Sequence, residues 1–504
     1  PFLGLRDMGG GKERGGSECA TVASIIAAAM NKPSTRAKSA PAAAKASASL
    51  QEPASGFSYS RPFFEELVDR ALAHAKKLGA TDAGAEASEG CGLSVSVRKG
   101  ELENVERNRD KSLGVTVYIG HRRGNASTSD FSEKAIEQTV QAAYDIARFT
   151  AEDPVAGLPD ADDIAPPETH RDLDLFHPWA ITSEEAAEMA KACEAAAFKT
   201  HRRITNSEGA GVSAQQSHFF SAHTRGFRGG YASSRHSFSV APIASLPGKN
   251  GEMQRDAWYS SMRNAADLAS PEAVGRYAAQ RALSRLGSRK IPTTQCPVLF
   301  ESTLAAGLLG GFVQAVSGGS LYRKSSFLLD SLGKMVFPKH IDILEDPFIL
   351  GGKGSSPFDE EGVRVAPRKV VKGGRVEGYF LSSYSARKLG MKTTGNAGGS
   401  HNLVMTSRLT QASDDLDAML QKLGTGLFVV ELMGQGVNYV TGDYSRGASG
   451  FWVENGKIAF PVHEITIAGN LKDMLKGIEA VGADAYSYGA KTVGSILVNR
   501  MKVA

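Results

Sequence analysis

The stretch Pro297-Val-Leu-Phe-Glu-Ser-Thr-Leu-Ala-Ala-Gly-Leu-Leu-Gly-Gly-Phe312 reads as a short apolar strand running into a helix. Leu304, Leu308, Leu309 and Phe312 recur at helical spacing, so one face of that helix belongs to a core. Its opening turn carries a single acid, Glu301. A zinc peptidase helix places a His-Glu pair here and a second His further along, so that imidazoles bind the metal and the carboxylate takes a proton from metal-bound water. The flanking positions are instead Phe300 and Ala305, whose side chains have no lone pair to offer a metal. The helix has the setting of a catalytic element and lacks its donors.

Outward from this element, the sequence divides into two differently patterned halves. Towards the N-terminus, Phe63, Phe64, Leu67, Val68, Ala71, Leu72, Ala75 and Leu78 follow a helical period that stops at Gly79. Leu93, Val95 and Val97 alternate with polar residues, Lys99-Gly100 makes a tight turn, and residues 102–108 complete a hairpin. Residues 113–119 predict a further strand, and Ser132 caps a helix over 133–148 with Ile136, Val140, Ala143 and Ile146 as its buried stripe. After an Asp- and Pro-rich loop over 153–167, Thr182 and Glu185 form a capping box for a helix to about Ala197. Residues 204–263 have strand composition, and a helix over 271–286 ends at Gly287. Beyond 290 the chain is punctuated by glycine and rich in strands, with a helix near 414–422, buried strands at 427–430 and 452–460, and a turn at Glu454-Asn-Gly456. The expected fold class is α+β: an N-terminal α/β domain with antiparallel strands and helices, then a mostly antiparallel β-rich C-terminal domain, a distorted barrel or sandwich. The expected divisions are a low-complexity extension over 1–55, an α/β module over 56–150, a middle segment over 151–290 packed with that module, and the β-rich domain over 291–504.

Composition narrows the function classes. In 504 residues, 41% are hydrophobic and the formal net charge is only +4, which leaves no basic footprint for nucleic acid. No apolar run approaches the roughly 20 residues that cross a bilayer, so no membrane partner is expected. The four cysteines, Cys19, Cys91, Cys193 and Cys296, stand far apart and in no metal or redox spacing, which fits a reduced, cytoplasmic compartment. Residues 1–55 are rich in Ala, Ser, Lys, Gly and Pro and are expected to lack a core of their own, with Met30 a candidate natural start. The run Ala20–Met30 is too short and too Ala-dominated for a signal peptide.

Several constellations could carry chemistry. Thr394-Gly-Asn-Ala-Gly-Gly-Ser-His-Asn402 is a loop with exposed amides, and Gly395, Asn396, Gly398, Gly399 and His401 are candidate contacts for a peptide backbone. A long turn between strands is the plainer reading, and the same holds for Gly351-Gly-Lys-Gly354. His463-Glu464 lies in a strand-like stretch with no second His at helical spacing, His218, His223 and His236 read as separate solvated side chains, and Met433 to Gly447 reads as a surface or interface loop. There is no Gly-x-Ser-x-Gly elbow to mark a serine nucleophile.

With Gly251-Glu-Met-Gln-Arg-Asp-Ala-Trp-Tyr259, Pro297-Val-Leu-Phe-Glu301, Leu389-Gly-Met-Lys-Thr-Thr-Gly-Asn396, Gly442-Asp-Tyr-Ser-Arg-Gly447 and Thr466-Ile-Ala-Gly-Asn470 in hand, the chain resembles the TldD/PmbA family, and within it the PmbA (TldE) branch. The resemblance begins near Phe63 and implies a cytoplasmic peptidase built from two homologous subunits, of which the TldD type holds zinc through a His-Glu-x-x-x-His helix and a C-terminal cysteine. Carried onto this sequence, those positions read Phe300, Glu301 and Ala305, and Tyr488-Gly-Ala-Lys-Thr-Val-Gly494 contains no cysteine. The resemblance therefore implies a non-catalytic subunit with no metal or other cofactor of its own, acting on unfolded peptides with a zinc-bearing TldD-type partner. Glu301 is the residual family position. The alternative is a regulatory binding protein of the DNA gyrase modulator type, acting as a homodimer. A hydrolase working alone through Glu301 or a serine would need an activating base, and the sequence supplies none.

Overall fold

The computed structural model describes residues 56–248 and 251–504, and the expectations for residues 1–55 lie outside these. The first half runs α1 (Arg61–Lys77), β1 (Asp82–Arg98), β2 (Glu101–Ile119), β3 (Arg122–Thr128), α2 (Glu133–Phe149), α3 (Ser183–Thr200), β4 (Ile204–His223), β5 (Arg228–Gly229), β6 (Ala232–Ser245), β7 (Met253–Arg255), β8 (Trp258–Met262) and α4 (Pro271–Ser284). The strands form one antiparallel sheet in the order β3-β2-β1-β4-β6-β7, with β5 paired to β4 and β8 to β6. Along β1, Ala83, Ala85 and Ala87 pack into a core with α1 and α2, while Leu93, Val95 and Val97 pack into a second core with α3 and α4. These six residues share one parity and so one face of the strand, which means two helix pairs cover the same side of the sheet end to end.

Side chains fix the local ends as the sequence predicts. Ser132 caps α2 by accepting from the Ala135 amide, and Thr182 and Glu185 form a reciprocal capping box on α3. The β1–β2 turn places Lys99 and Gly100 at positive φ, and both amides donate to the buried Glu194 carboxylate of α3, at 3.0 and 2.8 Å. Two expectations need correction. Residues 102–108 and 113–119 are one continuous strand, because β1 begins at Asp82 and is long enough to pair with all of β2. Ile146 is exposed and Ala147 takes its place in the α2 stripe, since the helix turns its buried face along 136, 140, 143 and 147.

The second half runs β9 (Thr294–Phe300), α5 (Ser302–Ala315), α6 (Gly318–Tyr322), β10 (Ile341–Asp346), β11 (Arg368–Lys372), β12 (Arg375–Val376), α7 (Ser383–Lys388), β13 (Asn402–Ser407), α8 (Leu416–Leu423), β14 (Gly426–Met433), β15 (Asp443–Glu454), β16 (Lys457–Asn470), α9 (Leu471–Lys476), β17 (Ile478–Val481), β18 (Tyr486–Tyr488), β19 (Lys491–Val493) and β20 (Ile496–Val503). One sheet has the order β12-β11-β10-β13-β19-β18. The other, β16-β15-β14-β9-β20-β17, gains a β16–β20 pairing that closes five of its strands into a ring. This is the barrel alternative of the sequence reading. Both sheets are mostly antiparallel, with β9–β14 the parallel pair of the barrel and β13–β19 that of the other sheet. Asp443 to Gly447, expected in a loop, opens β15 and pairs with β16, and Tyr444 within it is buried.

The halves meet at several places, among them these two. Tyr277 of α4 packs with Phe428, Val430 and Leu420 of the barrel side. The loop over 153–164 is strapped to α7, where Arg387 donates to the Gly157 and Leu158 carbonyls and to Asp160, and Lys388 and Tyr384 reach Asp153.

Candidate functional site

Strand β9, between parallel β14 and antiparallel β20, delivers the chain to Glu301, the N-cap residue of α5. Glu301 is only 1% exposed, and its side chain turns away from the helix end. One carboxylate oxygen accepts from Arg281 Nη1 at 2.6 Å; the other accepts from Thr303 Oγ1 at 2.8 Å and Arg281 Nη2 at 3.3 Å. Arg281 also donates through Nε to Asp256 at 3.1 Å and lies against the rings of Trp258 and Tyr277, 5.2 and 5.9 Å from their centroids. Arg285, one turn along α4, adds a second contact to Asp256 and pairs with Glu431. Burial disfavours the Arg281 charge, but Glu301 and Asp256 outweigh it and hold the guanidinium firmly protonated. Such a network is hydrogen-bonded on every side, which is the condition for tolerating charge in a core.

The donor set does not fit zinc. Structural and catalytic zinc take three or four N, S or O donors. Here Phe300 and Ala305 are buried apolar groups, and both oxygens of Glu301 are already engaged by Arg281 and Thr303. Among the described residues no group of three or more His, Cys, Asp and Glu is arranged to hold a metal ion. The positive charge that the Glu301 carboxylate faces is supplied by the chain itself.

Beside this network, at the seam of the two halves, lies a cavity of about 490 Å³ against α5. Its floor includes Gly307, Gly310 and Gly311, and its walls carry Arg281, Arg446 and Lys491. Tyr259, Tyr439, Tyr444 and Tyr488 also line it. Burial pushes the Tyr444 phenol up to about 12, and its hydroxyl finds no hydrogen-bond partner of normal geometry although Arg446 lies beside it. Burial also lowers the Lys491 ammonium below its ordinary value.

The glycine-rich loop is built mostly inward. Buried Glu345 accepts from Asn396 Nδ2 at 2.8 Å and from the His401 amide at 2.9 Å, and pairs with Arg368. His401 Nδ1 lies 3.3 Å from the same carboxylate, and these donors keep Glu345 below the usual carboxylate range despite its burial. Gly395 is buried at positive φ, whereas Gly398 and Gly399 are exposed. The loop leads into β13, whose Leu403 pairs with Lys491, so it adjoins the sheet that frames the cavity. His218, His223 and His236 do not gather, but they are buried and not solvated as expected, because His218 and His236 lie on the helix-covered face of β4 and β6 and His223 packs against the Phe227 ring. His218 faces Glu89, His236 the His177 carbonyl, and His223 Nδ1 the Arg225 amide. Glu464 is exposed and pairs with Lys290. Gly351 to Gly354 is a turn held by the Asn402 side chain.

Arg281 and Lys491 were not singled out by the sequence. Tyr277, Arg281 and Arg285 do fall at i, i+4, i+8 among the buried alanines of α4, and a charged residue on an apolar helix face requires a partner carboxylate. That pattern is a readable sign of a buried ion pair, although it does not say with which acid.

Three family models match: PmbA/TldA metallopeptidase domain 1 over 85–147, the central domain over 176–286 and the C-terminal domain over 293–504. The chain belongs to the PmbA/TldD metallopeptidase family, on its PmbA branch. It is 49% identical to Metalloprotease PmbA of Escherichia coli O157:H7 over 446 residues, which is 88% of this chain and 96% of that one. The Haemophilus influenzae Metalloprotease PmbA homolog is 46% identical, covering 87% and 96%. Among solved structures, a proposed modulator of DNA gyrase from Bacteroides thetaiotaomicron superposes with a TM-score of 0.81 at 25% identity, over 87% of this chain and 98% of that one. TldE from Thermococcus kodakarensis shares the fold at a TM-score of 0.73 and 16% identity, over 86% and 99%.

Proposed function

We propose that this chain is the PmbA/TldE-type subunit of a cytoplasmic TldD-type zinc peptidase acting on unfolded peptides, and that it shapes the substrate chamber while the partner subunit holds the zinc. The observation that carries this reading is Arg281, which satisfies the one acid left at the family's metal helix and fixes it in a buried ion pair. A buried carboxylate ion-paired with an arginine and accepting from Thr303 is held as a salt-bridge partner, so it is not placed to act as a general base. The helix that would be catalytic in the partner is here a rigid wall. An unfolded peptide suits strand addition, in which main-chain hydrogen bonds supply affinity with little demand on sequence. The exposed main chain at Gly398 and Gly399 is a reasonable contact for such a peptide, with Gly395, Asn396 and His401 holding the loop in shape from behind.

The test is hydrolysis of an unfolded peptide by this chain alone, by a TldD-type partner alone and by the two mixed, each with and without a zinc chelator. Activity confined to the mixture and abolished by chelation is the expected result. Chelator-resistant activity from this chain alone would overturn it. The description of the Bacteroides structural neighbour favours a second reading, a homodimeric regulatory protein of the gyrase modulator type. No activity in any mixture, together with a stable homodimer that binds gyrase unaided, would establish that reading in its place.

A further inference from the structure

The cavity against α5 carries an unbalanced charge. Arg281 is neutralised by Glu301 and Asp256, but Lys491 and Arg446 have no carboxylate partner among the described residues, and no Asp or Glu lines the cavity. The Lys491 Cε lies against α5 at Gly310, and Arg446 Nε and the Tyr444 hydroxyl are buried without a partner of normal geometry. Tyr444 is 5% exposed, so water does not readily serve its hydroxyl. A desolvated lysine, a second cation without a carboxylate and a buried hydroxyl donor around one hollow are unfavourable unless an anion completes them. The room is larger than a small anion needs, and Leu304, Leu308, Leu432 and Leu471 give it apolar walls. The ligand that matches both features has a carboxylate attached to an organic chain.

We infer that this cavity is a binding site for a peptide carboxylate, received by Lys491, Arg446 and the Tyr444 hydroxyl while the adjoining residues of the peptide lie over the glycine face of α5. The inference rests on the peptide reading above and extends it: this subunit anchors one acidic point of the chain that its partner cuts. Both a C-terminal carboxylate and an Asp or Glu side chain have the required chemistry, and Lys491, Arg446 and Tyr444 are binding residues in either case.

Calorimetric titration of the full chain with an N-acetylated Gly/Ser/Ala hexapeptide tests this, using the free acid, the C-terminal amide, and the amide with one Ser replaced by Asp. The free acid is expected to bind about tenfold or more tighter than the plain amide, the scale of one charge-assisted hydrogen bond. Recovery of affinity in the Asp-bearing amide assigns the site to side-chain carboxylates; no recovery assigns it to chain ends. Lys491→Met and Arg446→Met should each abolish the preference, and Lys491→Arg should keep it. Because a desolvated unpaired cation is removed, Lys491→Met should melt no lower than the parent, whereas loss of a purely structural lysine would lower the melting temperature. Equal binding of acid and amide, no binding of either, or a preference that survives both Met substitutions would overturn the inference. Hydrolysis of the plain amide by the mixed subunits decides the peptidase reading separately, so the two can fail independently.

Discussion

Arg281 sits between two carboxylates and two aromatic rings, and its neighbours depend on it more than it depends on them. Arg281→Met is expected to destabilise the protein by about 3–5 kcal/mol, because Glu301 is then a buried charge without a partner. Adding Glu301→Gln should return part of the loss, since Asp256 keeps Arg285. Urea denaturation of the two variants checks both expectations. His223 offers a second test. Burial pushes its imidazole down to about 4, with Nε2 unpartnered. In the unfolded chain the ring takes up a proton near pH 6.5, while the native state resists until about pH 4. The stabilisation is therefore complete above the unfolded value and is lost as pH falls through this window, by roughly 3 kcal/mol in all. His223→Gln should flatten the dependence of the urea midpoint on pH between about 6.5 and 4 by that amount.

Elements were legible where their determinants are local. The strand and helix from Pro297 to Phe312, the Thr182–Glu185 capping box and the Asn455-Gly456 turn each depend on residues a few positions apart, and each forms as read. Chain position alone could not show that β1 reaches back to Asp82, because Gly90, Cys91 and Gly92 interrupt its apolar alternation and only pairing with β2 and β4 keeps the strand continuous. The glycine at 124 shows another determinant invisible in the sequence. A Cβ there would come within 2.0 Å of the Ala143 carbonyl oxygen and 2.5 Å of the Ala147 amide, so α2 and β3 touch backbone to backbone. Gly124→Ala should lift α2 from the sheet and cost about 1–3 kcal/mol, read as a lower thermal midpoint and faster amide exchange within α2.

At the scale of the whole molecule, the apolar flanks of Glu301 were visible in the sequence, but the arginine that pairs with it comes from a helix of the other half and was not. The cavity likewise takes Tyr444 and Arg446 from β15 and Lys491 from β19, strands of two different sheets that only the tertiary fold gathers. The two halves are also tied by the strap over 153–164. Arg387→Ala removes four donated hydrogen bonds from that strap. It should leave the global melt within about 1–2 kcal/mol of the parent while exposing the strap to limited proteolysis.

The ring of β9, β14, β15, β16 and β20 has a consequence in time. Residues 294–300 form its first strand and residues 496–503 its last, and these two lie edge to edge. A ribosome adding about 5–20 residues each second needs on the order of tens of seconds to make what lies between. Through most of that interval β9 has both flanks bare, since its other neighbour β14 begins only at Gly426, and one flank stays bare to the end; such a hydrophobic edge is suited to capture by a chaperone and open to pairing with a neighbouring nascent copy.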